Sequence, residues 1–263
     1  MLVPTDIVPG RLLSRHGRTR IHRLLQAVNM LFPWISIRSN TVLDLHQHGV
    51  VVRRATPPKS SFVPFMAMAD LHLYRSGSRL FGPADALAFR CSPDDAWIDV
   101  LDDHGDAFHL RGEIIGGQLR ERGPLALRSL EAGEVLTFHS IADADRLAAR
   151  APGAIAFGRT TALRLSRTGV DVDGQCIAIA DIAKLDEGGP DGSLRLFDAY
   201  GHMLWSVHTL SLFSADLFVV LMRTMIEAQQ YGLTHKNRPP EVLTRAADAD
   251  EAGGVTGRED GES

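Results

Sequence analysis

At 263 residues with 44% hydrophobic content, the chain is long enough for one large or two small domains with buried cores. Its formal net charge of −4 gives no general case for nucleic-acid binding, and no apolar run reaches the ~18 residues that a membrane-spanning helix needs. The two cysteines, Cys91 and Cys176, fall in no CxxC or Cys/His zinc spacing, so two buried, reduced thiols of a cytosolic protein are expected.

The charge is unevenly spread. Residues 1–40 hold six Arg against Asp6 alone, and residues 241–263 hold seven acids against two Arg. Residues 18–32 suit a short amphipathic helix, with Ile21, Leu24, Leu25, Val28, Leu31 and Phe32 on one face and Pro33 at its end. The basic lead and the apolar stretch look like a signal peptide, but Arg38-Ser39-Asn40 follows where a small-residue cleavage site would stand, so secretion is not expected.

From Thr41 the period changes to two. Val42, Asp44, His46 and His48 would share one strand face, and Gly49 permits a tight turn into Val50-Val51-Val52. Residues 55–64, with Pro57, Pro58 and Pro64, read as a loop. Met66 to Tyr74 reads as a strand, and so does Ala86 to Cys91. Ala96–Leu101 and Ala107–Arg111 read as a hairpin turned at Asp102–Gly105, and Pro124 opens a short helix through Glu131 with Gly133 beyond its end.

In the second half, strands are expected near 134–138, 154–157, 160–166, 169–172, 175–179, 193–197 and 203–208, with a short helix over 143–150. The strongest helical pattern is the last. Ser214 suits its cap, Asp216 its first turn, and Leu217, Val220, Leu221, Thr224, Met225 and Ala228 form an apolar stripe that Gly232 stops. Pro239-Pro240 and the acidic, Gly-rich end predict a disordered tail.

One set of pieces recurs in order. Leu45…Gly49-Val50, Ala69-Asp70-Leu71 and Ile98…Gly105 are matched by Leu165…Gly169-Val170, Ala180-Asp181-Ile182 and Leu194…Gly201. Each copy reads as a run of short antiparallel strands followed by a helix, which suits a bent sheet whose open mouth the helix covers. The second copy carries the fuller set: Gly133 to Phe138, Ala156-Phe157-Gly158, Leu163 to Val170, Ile179 to Ile182, Trp205 and the helix from Ser214. On these residues the chain resembles the pleckstrin-homology-like barrel, and more narrowly an uncharacterised bacterial family with two such units in tandem. The expected class is α+β, mostly β. The expected divisions are 1–40 as a basic, apolar lead, 41–131 and 132–232 as the two PH-like units, and 233–263 as the tail. The resemblance implies no enzymatic activity; it implies binding to a protein segment or a membrane surface.

Two constellations could carry chemistry. Asp44-x-His46-x-His48 puts a carboxylate and two imidazoles on one strand face, a donor set that can bind zinc, and it also looks like the first strand of amidohydrolase-type metal enzymes. The alternating βα units those enzymes need are not predicted, and the second copy has Arg164, Ser166 and Thr168 at the matching places. A metal-dependent hydrolase on Asp44, His46 and His48 is therefore the alternative, and a polar strand face the main reading. No Gly-x-Ser-x-Gly elbow and no phosphate-binding glycine loop occurs. The second constellation is Arg11, Arg15, Arg18, Arg20 and Arg23 ahead of Phe32 and Trp34, which suits an anionic membrane surface.

The sequence thus leads to a non-enzymatic adaptor without cofactor or metal, cytoplasmic and peripheral to the inner membrane. It would meet a protein partner through a sheet edge or groove, and lipid through residues 11–37, with no nucleic acid.

Overall fold

The computed structural model describes residues 7–17, 41–55, 58–78, 82–100, 107–147, 157, 159–188 and 191–236. The first half opens with an antiparallel meander, β1 (Leu12–His16), β2 (Thr41–His46), β3 (Gly49–Ala55) and β4 (Pro58–Pro64), in the order β1-β2-β3-β4. A 3-10 turn, Phe65–Ala67, leads to a second antiparallel sheet, β5 (Asp70–Ser78), β6 (Gly82–Arg90) and β7 (Ile98–Val100), and then to helix α1 (Ala107–Glu131).

The second half repeats this order. β8 (Leu136–Ile141) is followed by the short helix α2 (Asp143–Leu147), then β9 (Thr160–Leu165), β10 (Gly169–Val172) and β11 (Gln175–Ala178), in the sheet order β11-β10-β9-β8. The 3-10 turn Ile179–Asp181 leads to β12 (Lys184–Asp186), β13 (Ser193–Phe197) and β14 (Met203–His208). A last 3-10 turn, Thr209–Ser211, precedes helix α3 (Ala215–Lys236). The protein is α+β and mostly β, built from several antiparallel sheets. By backbone contacts the chain divides into Met1–Ile226, which holds both halves, and Glu227–Ser263, which begins inside α3.

The agreement extends to single residues. Leu43, Leu45 and Val50 are buried at the places held by Leu163, Leu165 and Val170. Phe65 N–H donates to His48 C=O at 3.0 Å, and Ile179 N–H donates to Thr168 C=O at 2.9 Å. Each 3-10 turn then closes alike, Met68 N–H on Phe65 C=O and Ile182 N–H on Ile179 C=O. The glycine that opens β3 or β10 is required in both copies, since a Cβ on Gly49 would collide with Val63 C=O and one on Gly169 would lie 2.7 Å from Ile177 C=O. This register moves one correspondence read from sequence. Phe65–Leu71 matches Ile179–Leu185, so Ala69-Asp70-Leu71 answers to Ala183-Lys184-Leu185 rather than to residues 180–182. The turn at Asp198–Gly201 joins β13 to β14 and answers to the β6–β7 connection; residues 101–106 lie outside the described set.

Several expectations are corrected. Residues 58–64 are a strand rather than a loop. Pro58 and Pro64 stand at its two ends, and β4 is an edge strand, where a missing N–H is tolerated. Met66 lies in a 3-10 turn, so the strand starts at Asp70. Residues 107–111 are the first turns of a 25-residue helix, and Pro124 lies inside that helix instead of opening it. Its glycines hid it, because Gly lowers helix propensity. One of them is needed: a Cβ on Gly117 would sit 2.6 Å from the Phe65 ring. Gly133, at φ +85°, ends α1, with its N–H on Leu130 C=O. In α3 the buried face is Leu217, Phe218, Leu221, Met222 and Ile226, while Val220, placed in the apolar stripe, is 42% exposed. The strand near 184–186 is not among the expected elements, and α3 runs through Gly232, expected to stop it, to Lys236, into the tail expected over 233–263; residues 237–263, the helix 18–32 and, apart from Phe157, the strand near 154–157 lie outside the described residues.

α1 joins the two cores. Leu110 and Ile114 pack with Leu43, Val50, Phe65 and Phe89 of the first half. About three turns further on, Ala126 and Leu130 pack with Leu163, Leu165, Phe218 and Met222 of the second. Buried leucines in such cores contribute about 2–5 kcal/mol each against alanine.

Candidate functional site

Asp44 lies in mid-strand on β2 and is fully buried, with an arginine on each neighbouring strand. From β1, Arg15 Nε donates to Asp44 Oδ1 at 2.7 Å and Nη2 to Oδ2 at 3.3 Å; from β3, Arg53 Nη2 lies 2.7 Å from Oδ2. The hydrogen bond that Arg15 donates to Asp44, and then the Asp44 charge, raise the Arg15 pKa above the ordinary value. A buried carboxylate is tolerable when paired in this way, and the three residues tie β1, β2 and β3 together. His46 ends β2, with Nδ1 3.1 Å from Gly10 C=O. His48 lies beyond the strand in the turn to β3, and its Nδ1 is 2.9 Å from Glu121 Oε1 on α1. The expected shared face is therefore broken at His46, and the three side chains go to three different partners. Among the described residues no group of three or more His, Cys, Asp or Glu is placed to hold a metal ion.

The basic lead also divides. Arg15 pairs with Asp44, and the Arg11 C=O accepts from Gln47 N–H at 3.0 Å while its residue stays exposed. Residues 12–16, set apart as a lead in the sequence, form a strand of the first sheet. Arg18, Arg20, Arg23, Phe32 and Trp34 lie outside the described residues. Among the described residues no helix is long and apolar enough to cross a membrane. Cys91 and Cys176 are both exposed, against the expected burial: Cys91 follows the end of β6, and Cys176 is on the edge strand β11.

The densest polar constellation is the joint between the halves. Asp70, 4% exposed, opens β5, with Arg90 Nε of β6 at 2.7 Å and His139 Nδ1 of β8 at 3.8 Å. Burial pushes the Asp70 carboxyl up, but the neighbouring His139, with the hydrogen bond and the charge of Arg90, outweighs it and holds the pKa below the ordinary 3.8. The Arg90 guanidinium lies 4.4 Å from the centroid of the Trp97 ring, a cation–π contact. Phe213 packs against Trp97 and His72, with centroids 5.2 and 5.0 Å away. Arg122 of α1 reaches Met68 C=O, and its burial pulls its pKa down.

Ser214 completes the joint. Its C=O accepts the first helical bond of α3, from Phe218 N–H at 3.0 Å, as a cap residue should. Its side chain does not cap the helix. Ser214 Oγ accepts from Leu71 N–H at 3.0 Å and from Gln118 Nε2 at 3.1 Å, and Ser214 N–H donates to Leu71 C=O at 2.6 Å. Its φ of +51° is in the left-handed region that non-glycine residues rarely adopt. Sequence reasoning found the cap position but not this role, because the partners lie about a hundred residues or more away in the chain and no local pattern marks them.

Among the described residues, a hollow and a strand edge stand out as surfaces that could meet a ligand. A shallow hollow of about 540 Å³ lies between the β2–β3 turn and α1, lined by Leu13, Gln47, His48, Glu113, Arg120 and Glu121. The outer edge of β12 carries Lys184, 66% exposed, whose ammonium is 3.8 Å from Asp186 and lies over the Phe197 ring. Next to it, Glu187 pairs with Arg223 of α3. Neither surface brings together a nucleophile, a base and an anion-stabilising group. No family model matches the chain, and no curated protein sequence matches it.

Proposed function

We propose that the protein is a non-enzymatic adaptor made of two pleckstrin-homology-like units, with a basic segment that contacts an anionic membrane surface. The observation that carries this reading is the twofold run of a four-stranded sheet, a 3-10 turn, a three-stranded sheet and a helix. That is the order expected of a bent sheet covered by a C-terminal helix, and it occurs twice with matching core residues. Such units act through edges, grooves and connecting segments rather than through a catalytic cleft, and the hollow and the strand edge are of that kind.

The membrane part draws on topology and sequence together. Residues 17–40 lie in the chain between β1 and β2, two strands that pair directly. Arg18, Arg20 and Arg23 add to Phe32 and Trp34 there, the mixture that attracts headgroups and sits at the interface. Removing residues 1–37 is a poor test, since it would also remove β1 and uncover Asp44. The test is vesicle flotation of the full chain with phosphatidylserine-containing and pure phosphatidylcholine vesicles. Recovery should require the anionic lipid, fall with salt, and be lost in the triple variant R18Q/R20Q/R23Q. Equal recovery of wild type and triple variant contradicts the membrane role.

A further inference from the structure

The two halves differ at one matching edge. On β5, the backbone groups of Leu71 that point away from β6 are both engaged by Ser214. Leu185 holds the same place on β12. It faces Leu196 of β13 as Leu71 faces Phe89 of β6, and it follows the buried Ile182 as Leu71 follows the buried Met68. Among the described residues no hydrogen bond reaches the outward N–H and C=O of Leu185. The first half thus shows this edge filled by an added segment, and among the described residues the second half shows no such segment on it. An open strand edge is a template for another strand.

The surroundings specify the occupant. Arg223 holds α3 beside the end of β12 through Glu187. Val220 precedes Arg223 by three residues and Asp216 precedes it by seven, so they share its face. Val220 is exposed and apolar, and Asp216 lies close enough to Glu187 for the two carboxylates to repel. Lys184 with Asp186, and Arg223 with Glu187, cancel one another. Asp181 and Asp216 are left, and among the described residues neither carries an ion pair. Asp216 on the helix face of the exposed Val220, and Asp181 four residues before Leu185 in the chain, are charges that a basic, partly apolar strand would complement.

We propose that β12 takes an extended segment of a partner protein, an apolar residue flanked by basic ones, as a fourth strand on β12-β13-β14. Its main chain bonds to Leu185, its apolar side chain lies on Val220, and its basic groups reach Asp181 and Asp216. The inference rests on the adaptor reading and names the partner class for one of its surfaces.

The test selects phage-displayed random dodecapeptides on the full-length protein. Enriched sequences are then synthesised with fluorescein for anisotropy titrations. They should carry the basic–apolar–basic pattern and bind about tenfold or more weakly to L185P, which removes the edge donor, and to D181K/D216K, which reverses the charge and leaves the backbone intact. The second variant decides the matter if the first fails to fold. In amide exchange, the Leu185 N–H should exchange freely in the isolated protein and become protected with peptide, while the Leu71 N–H stays protected throughout. No enrichment, or affinities unchanged in D181K/D216K, overturns the inference, and so does a Leu185 amide as protected as that of Leu71 before peptide is added. Such a failure with vesicle recovery intact removes this surface alone, whereas loss of both removes the adaptor reading.

Discussion

The first and second halves bury matching residues at Leu43 and Leu163, Leu45 and Leu165, Val50 and Val170, and Phe65 and Ile179, and diverge at the strand that follows the 3-10 turn. Asp70 and Lys184 are equivalent in register, each the first residue of its strand, yet one is a buried carboxylate held by Arg90 and His139 and the other an exposed ammonium. The difference shows what two halves of the same element order hold in common. The core leucines and the glycine at the strand crossing are set by packing, and neither copy can change them cheaply. The edge after the 3-10 turn differs: it is an internal joint in the first half, and among the described residues no segment pairs with it in the second.

The comparison breaks most severely in the core. Leu43→Ala and Leu163→Ala, at matching buried positions, should each cost about 2–5 kcal/mol in urea unfolding. Because α1 contributes to both cores, each variant should keep a single transition. Two separated transitions would show that the halves unfold independently.

The next largest contrast is at the diverged edge. Asp70→Ala leaves Arg90 largely buried without its carboxylate and should cost about 3–5 kcal/mol, whereas Lys184→Ala, on the surface, should stay within about 0.5 kcal/mol. Ser214→Ala strips the acceptor from Leu71 N–H and Gln118 and should cost about 1–3 kcal/mol. Ser214→Gly loses the same oxygen but relieves the +51° backbone, so it should be the milder of the two.

The smallest effect is on pH dependence. The Asp70 pKa is lower folded than unfolded, so its contribution is complete above the ordinary value of 3.8 and shrinks as pH falls from there through the folded value. Between wild type and Asp70→Asn, the stability gap should narrow as pH drops below about 4. A gap that stays constant down to the acid limit would show that Asp70 has no charged role at the joint.

The repeat itself was legible because turn glycines and alternating leucines leave local marks. Leu45…Gly49-Val50 and Leu165…Gly169-Val170 fall on equivalent hairpins. Asp173-Gly174 also forms the expected turn, at φ +51° and +83°. α1 was hidden because its sequence mixes four glycines and a proline with helix formers, and packing onto Phe65 overrides the weak propensity. β4 was hidden by prolines that mark only its ends. The Asp44 cluster misled for a plainer reason: strand alternation predicted one face, but the strand stops before His48. Ser214, Gln118 and the Asp70–His139 contact could not be read at all, since they join residues far apart in sequence through a docking geometry that no local pattern encodes.

The most direct test of the account is a crystal structure of the full chain in which residues 12–131 are superposed on residues 136–236. The account predicts that Leu43 falls on Leu163, Gly49 on Gly169, Phe65 on Ile179 and Leu71 on Leu185, with Ser214 seated on Leu71 and the matching edge of Leu185 bare. Halves that fail to superpose at those four pairs, or strands from both halves closed into one parallel barrel, would contradict it.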